Sequence, residues 1–202
     1  MTGPRRPRPP VLWLASTSPQ RTAILRQLGI LHEVAAPDYV EHDRPDADPV
    51  ELVREHALGK ARSVWATTGA QGVLVLGVDT TVALDGRSYA KPADRADAAA
   101  MLGALQGCTH EVVSGLCLIG DGFEELHHDV TRVTFRSLTQ AQIDAYLGTG
   151  EWEGRAGAYA IQGRGAAVVE RIEGDYLNVV GLPAALLVRL LHERLSGLSV
   201  LG

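Results

Sequence analysis

Apolar and polar positions fall into short blocks along the chain, and the blocks switch repeatedly between strand and helix character. Val11 to Ala15 is an apolar run that predicts a strand. Ser18-Pro19 then offers a cap followed by proline at the first helical position, and Ile24, Leu25 and Leu28 form an apolar face that Gly29 ends. Asp48-Pro49-Val50-Glu51 is a second start signal, opening a helix that carries Leu52, Val53, Ala57, Ala61 and Val64 to about Trp65. The β-branched run from Gly72 to Leu84 predicts a buried strand. An alanine-rich helix is expected from about Asp94 to Gln106, stopped by Gly107. His110 to Ile119 and Asp129 to Phe135 read as neighbouring strands joined through Gly120-Asp121-Gly122. Thr139-Gln140-Ala141-Gln142 caps a helix that ends near Gly148, Ala166 to Ile172 is strand-like, and Pro183 to Leu195 is a closing amphipathic helix. The alternation predicts an α/β sheet flanked by helices, in one domain over residues 11–202 with no repeat or linker.

Composition narrows the class. At 202 residues, 46% hydrophobic and 21% charged, the chain suits an ordinary soluble globule with a real core. A formal net charge of -5 argues against a general nucleic-acid binder, because nothing offsets phosphate repulsion over a broad surface. No apolar run reaches the length of a membrane span. Residues 1–10, with Arg5, Arg6 and Arg8 among prolines, read as a disordered tail rather than a targeting signal. Cys108 and Cys117, in one strand-like stretch, are too few for a disulfide framework and point to a reducing cytoplasm.

Asp79 is the conspicuous chemical candidate. It lies inside the apolar Gly72–Leu84 run, where an ionised carboxylate costs several kcal/mol unless cations or hydrogen bonds hold it. Such a residue serves a network, a metal or a catalytic step, or else it caps backbone N–H groups; both readings stand on this segment alone. Arg21 follows Ser16-Thr17-Ser18-Pro19-Gln20 at a strand-to-helix turn, and a helix N-terminus with nearby hydroxyls favours phosphate. A lone Arg there can equally point to solvent. Glu41 and Asp79 are carboxylates suited to a hard cation, although a loop Glu such as Glu41 is ordinarily just solvated. Lys60, polar among the alanines of its helix, reads as a solvated-face residue. No glycine-rich turn ends in Gly-Lys-Ser/Thr, and Gly163-Arg164-Gly165 precedes a strand, so neither a P-loop nor a dinucleotide fingerprint is present. His127-His128 and the Cys108/His110 pair lack metal spacing and read as strand residues. Trp13, Trp65 and Trp152 read as packing residues.

Six spaced segments occur in order: Leu14–Arg21, Gly77-Val78-Asp79-Thr80, Ala90-Lys91-Pro92, Thr109-His110-Glu111-Val112, Gly157–Gly163, and Asn178-Val179-Val180-Gly181-Leu182-Pro183. Together they resemble the Maf family of septum-formation-inhibitor-type nucleoside triphosphate pyrophosphatases, from Val11 to about Leu195. The resemblance implies an elongated mixed sheet with a cleft between two lobes, commonly in a homodimer. It implies hydrolysis of a nucleoside triphosphate to monophosphate and pyrophosphate with a divalent metal, Mg²⁺ or Mn²⁺. By the same resemblance the catalytic positions are Asp79, Glu41, Lys60 and Lys91, the substrate-binding positions Ser16, Arg21 and Gln162, and the metal ligands Asp79 and Glu41.

Three departures are visible: Gln20 where the family usually has Arg, Val40 where Asp is frequent, and Arg155 where Lys is frequent. Gln162 favours the dTTP/UTP branch, since the branch for methylated guanine nucleotides typically has Glu there. The expectation is a cytoplasmic dTTP/UTP pyrophosphatase, with a role in nucleotide-pool housecleaning implied by the resemblance alone; the alternative is a non-catalytic nucleotide-binding regulator of cell division.

Overall fold

The structure is a computed structural model that describes residues 11–194 apart from 43, 45, 70 and 71. The expected tail at residues 1–10 and Leu195 of the expected closing helix lie outside those residues. The first half of the chain forms β1 (Val11–Ala15), α1 (Pro19–Gln27), β2 (His32–Ala35), α2 (Pro49–Thr68), β3 (Val73–Leu84) and β4 (Arg87–Tyr89). The second half forms α3 (Arg95–Leu105), β5 (Thr109–Gly120), β6 (Phe123–Phe135), α4 (Gln140–Leu147), β7 (Val169–Glu173), α5 (Tyr176–Val180) and α6 (Ala184–Arg194).

Among the described residues these strands make one mixed sheet of seven strands, in the order β2-β1-β3-β5-β6-β7 with β4 beside β3. The long strand β3 organises it. On one flank β3 pairs antiparallel with β5 from Val75 to Ala83. On the other flank β1 runs parallel to it from Val73 to Gly77, and β4 pairs antiparallel only from Val82 to Leu84. Between Gly77 and Val82 that flank has no strand partner among the described residues, and the sheet parts there into two lobes. Asp79 sits in the gap.

Each lobe has its own core. Leu14, Leu25, Leu76, Leu118 and Leu187 fill the first, between the sheet and α1 and α6. Leu102, Phe135, Ile143 and Tyr159 fill the second, beneath α3 and α4. Trp13 and Trp65 pack on a third cluster under α2, and Trp152 on the second lobe, as packing residues would.

Helix α2 lies unusually close to the sheet, and two glycines permit it. A Cβ at Gly77 would fall 2.2 Å from the Ala57 carbonyl oxygen, and one at Gly115 would fall 2.2 Å from that of Val53. These strand glycines are sites of backbone approach. Asp48 caps the helix, its Oδ1 accepting from the N–H groups of Val50 and Glu51 at 2.9 and 3.0 Å. The helix then runs to Thr68, past the expected end near Trp65.

Other boundaries differ for physical reasons. The strand expected from Asp129 begins at Phe123, because the β5–β6 ladder closes directly across the Asp121-Gly122 turn. Its first half carries Glu124, Glu125, His127 and His128, so hydrophobic alternation gave no warning. Ala166 to Val168 belong to a 3₁₀ turn, and strand begins only at Val169. Cys108 precedes β5, so Cys117 alone lies in the strand, where burial pushes its thiol up to about 12. Such a thiol is inert at neutral pH.

Candidate active site

The side chains of β3 alternate between the two faces of the sheet, and Asp79 points to the α2 face. There α2 presents His56 and Lys60, one turn apart on the same side. Lys60 Nζ donates to Asp79 Oδ1 at 2.6 Å, and His56 Nδ1 lies 3.3 Å from Asp79 Oδ2. Lys60 also meets Glu41 Oε1 at 2.7 Å, so one buried ammonium joins the two carboxylates. Burial alone would raise the Asp79 pKa, but the hydrogen bond from His56 and the charges of Lys60 and Arg21 overcome it and hold the carboxyl well below the usual range. Asp79 is an anion held by its neighbours.

The other wall is built from the turn after β1. Arg21, in the first turn of α1, donates from Nε to the Gly181 carbonyl at 2.9 Å, from NH1 to Ser16 Oγ at 3.1 Å and from NH2 to Thr80 Oγ1 at 3.3 Å. It therefore ties the end of β1, the open edge of β3 and the segment after α5 together. Burial lowers its pKa while Asp79 and Glu41 oppose that, and a guanidinium stays charged regardless. The Ser18 side chain, expected as a cap, makes no capping bond to α1 and instead donates to Gln20 Oε1 at 3.1 Å. The turn from Ser16 to Arg21 lines the cleft, and the first turn of a helix carries N–H groups without intrahelical partners.

The second lobe supplies the opposite rim, with Lys91 after β4 and Gln162 on the loop before β7, both exposed. The Gln162 loop is pinned from beneath. Gly157 and Ala158 have φ of 67° and 59°, a left-handed pair that costs Ala158 about 1 kcal/mol and turns Tyr159 inward. Tyr159 OH then lies 3.0 Å from His110 Nε2, and the Ala160 N–H donates to Tyr146 OH at 3.0 Å. Burial drops the His110 pKa to about 4, so its imidazole is neutral in the folded protein.

This has a consequence for acid stability. An unfolded His takes up a proton near pH 6.5, whereas folded His110 does so only near pH 4; the unfolded chain therefore binds more protons between those values. Stability is fully present above pH 6.5 and falls as pH drops toward 4, by up to about 3 kcal/mol from this group. His110→Gln should flatten that window in urea unfolding at successive pH values. An unchanged slope would refute the buried neutral imidazole.

All seven residues singled out by resemblance, Ser16, Arg21, Glu41, Lys60, Asp79, Lys91 and Gln162, line one cleft of about 650 Å³ between the lobes. Lys60 corrects the solvated-face reading: it is only 5% exposed. Its position was readable, because Val53, Ala57, Ala61 and Val64 define the buried stripe and both His56 and Lys60 fall on it. His56 was missed outright. Thr80, whose Oγ1 lies 2.9 Å from Ser114 Oγ, and Gly181 were present in the motifs but had no assigned part.

Donor atoms of Glu41, His56 and Asp79 all lie within 4.8 Å of one another, but His56 is buried behind Asp79 and outside the cleft lining, so the two carboxylates are the pair open to a metal ion. The two carboxylates already converge on a cation, the Lys60 ammonium, and oxygen donors of this kind suit a hard divalent ion sharing phosphate and water ligands. The residues fit such a group.

Fold and cleft define an α/β protein whose split sheet presents carboxylates, lysines and a helix start to one anion-sized cavity. The Maf-like protein family model matches residues 11–194. Three relatives, each named dTTP/UTP pyrophosphatase, are similar along nearly the whole chain. That of Symbiobacterium thermophilum is 48% identical, covering 90% of this chain and 93% of its own. That of Gloeobacter violaceus is 47% identical over 90% and 95%, and that of Deinococcus radiodurans 43% identical over 96% and 96%. The chain belongs to the Maf-like family.

Proposed function

We propose that this chain hydrolyses nucleoside triphosphates, dTTP and UTP foremost, between the α and β phosphates, releasing a nucleoside monophosphate and pyrophosphate. The observation that carries the reading is the buried Lys60 bridging Glu41 and Asp79 inside a cleft whose other walls bring Arg21 and Lys91. The names of the relatives supply the reaction and the bases.

Each side chain then has a task. Arg21, Lys60 and Lys91 offset the negative charge that develops as the phosphoanhydride breaks. Ser16 and the N–H groups at the α1 start hold a phosphate at the first lobe. Glu41 is the better placed of the two carboxylates to take a proton from the attacking water. Asp79 has one oxygen on Lys60 and the other on His56, and a carboxyl held so far below its usual range is a weak base. A divalent cation, Mg²⁺ or Mn²⁺, would be held by Glu41 and Asp79 and supply Lewis-acid charge at the phosphates when bound. Among the described residues no helix is long and apolar enough to cross a membrane. A single domain over residues 11–202, a homodimer and a cytoplasmic setting complete the reading on the strength of the family resemblance.

Gln162 is assigned to base recognition. Its amide both donates and accepts, and so matches the carbonyl and N–H edge of thymine or uracil. Gln162 is exposed in the free protein and is covered when a base docks on it, so specificity constants for dTTP and UTP should exceed those for ATP and 7-methyl-GTP by about 10-fold or more, the cost of a hydrogen-bonding group left unpaired against the wrong base. Assaying these nucleotides with product identification tests both claims. Orthophosphate in place of pyrophosphate ends the pyrophosphatase reading, and tight binding without turnover returns the regulator. Preference for the methylated purine removes only the assignment to the dTTP/UTP branch.

A further inference from the structure

The geometry points to His56 as the residue that positions both carboxylates of the cleft, Asp79 directly and Glu41 through Tyr39. The inference rests on the hydrolase reading above, and no motif of the family resemblance includes His56.

The imidazole is 1% exposed and is not among the residues lining the cleft, so it acts through other groups. It reaches Asp79 Oδ2 at 3.3 Å while Lys60 holds Oδ1 at 2.6 Å. A carboxylate bonded at one oxygen turns easily, because its last torsion is broad and roughly two-fold. The second contact removes that freedom and aims Oδ1 at the point where Glu41 also arrives. Among the described residues His56 Nε2 has no hydrogen-bond partner, so the polar work falls on the Nδ1 side of the ring.

The other side of His56 supports Glu41. Tyr39 meets the imidazole edge-on, with ring centroids 5.9 Å apart and planes at 62°. The same tyrosine ring lies flat against α2 at Gly59, where an added Cβ would fall 2.1 Å from Tyr39 Cε2. Glycine inside a helix is ordinarily a local weakness. Here it makes the seat for Tyr39, two residues before Glu41 on the same loop. One turn of α2, from His56 through Gly59 to Lys60, therefore sets the mutual placement of both carboxylates.

Three substitutions separate this role from simple packing. Asn places its amide nitrogen near the Nδ1 position, Gln near Nε2, and Leu fills the volume without a polar atom. For His56→Leu we expect kcat for dTTP to fall by about 10–100-fold with a smaller change in KM, and Mn²⁺ affinity to weaken by a similar factor. That affinity is read by electron paramagnetic resonance of free Mn²⁺ in the presence of a non-hydrolysable triphosphate. His56→Asn should recover both quantities to within about threefold, whereas His56→Gln stays with Leu. Gly59→Ala, stabilising on helix propensity alone, should instead weaken Mn²⁺ binding by displacing Tyr39.

Wild-type kcat and Mn²⁺ affinity in His56→Leu, or equal behaviour of Asn and Gln, overturn the inference; a silent Gly59→Ala overturns its Glu41 half. Should His56→Leu fail to melt cooperatively, the Asn–Gln pair decides alone. Absence of pyrophosphate release from the wild type would instead remove the proposed function, and the Mn²⁺ titration would still decide on His56.

Discussion

Asp79→Asn gives a folded protein whose turnover is lower by about 10²–10⁴-fold. The fold survives because the substitution removes charge without removing partners. Lys60 keeps Glu41 at 2.7 Å, the amide oxygen still accepts from Lys60, and a neutral His56 can accept from the amide nitrogen. Turnover falls because the buried anion gathers Lys60, His56 and Arg21 around the cleft, and a neutral amide attracts none of them as strongly. The pH dependence gives an independent check. The folded-state pKa of Asp79 is depressed, so its contribution to stability is complete above the unfolded value near 4 and is lost as pH falls below it. Thermal melts of the variant should thus show a shallower decline below about pH 4 than those of the wild type, together with a lower melting temperature at pH 7, where only the wild type keeps that contribution. A variant that unfolds at pH 7, or that keeps most of its pyrophosphate release, assigns Asp79 to architecture instead.

How far the chain announced this arrangement depends on how local each signal is. Caps were legible because they use adjacent residues: Asp48 at α2 and the Thr139–Gln142 capping box at α4 both form as their spacing implies. A charge in an apolar strand was legible for the same reason, and Asp79 stood out. Short elements were not: β2, β4 and α5 are too brief for any periodicity, and the first half of β6 is polar on both faces. Lys60 was misread by composition although the stripe through Ala57 and Ala61 placed it inward. Lys91 and Gln162 carry no local mark at all. Both are exposed and reach the cleft only because the second lobe folds over the gap in β3, so resemblance alone named them. Arg21 shows a further limit, since a helix-start Arg suggested a phosphate ligand, yet three of its bonds are to the protein itself. It braces the cleft as well as charging it.

Excess EDTA should stop pyrophosphate release while leaving the melting temperature unchanged, and added Mg²⁺ or Mn²⁺ should restore it. The two halves of this expectation have separate causes. Structural indifference follows from Lys60, whose ammonium already stands between Glu41 and Asp79 at 2.7 and 2.6 Å, so the carboxylate pair is not left as two unbalanced buried anions when metal is removed. Catalytic dependence follows from charge. A triphosphate brings several negative charges into a cleft that also contains Glu41, Asp79 and Glu151, and Arg21, Lys60, Lys91 and Arg155 are the lining cations set against them. Lys60 is moreover shared with the carboxylates, and Arg21 with Ser16, Thr80 and Gly181. The protein's own cations are thus partly committed before substrate arrives, leaving a deficit that a hard divalent ion with oxygen ligands is suited to fill. Turnover and thermal melts measured on the same chelated sample decide the matter. Full activity in EDTA would eliminate the metal-assisted mechanism, and a large drop in melting temperature would make the ion structural rather than catalytic.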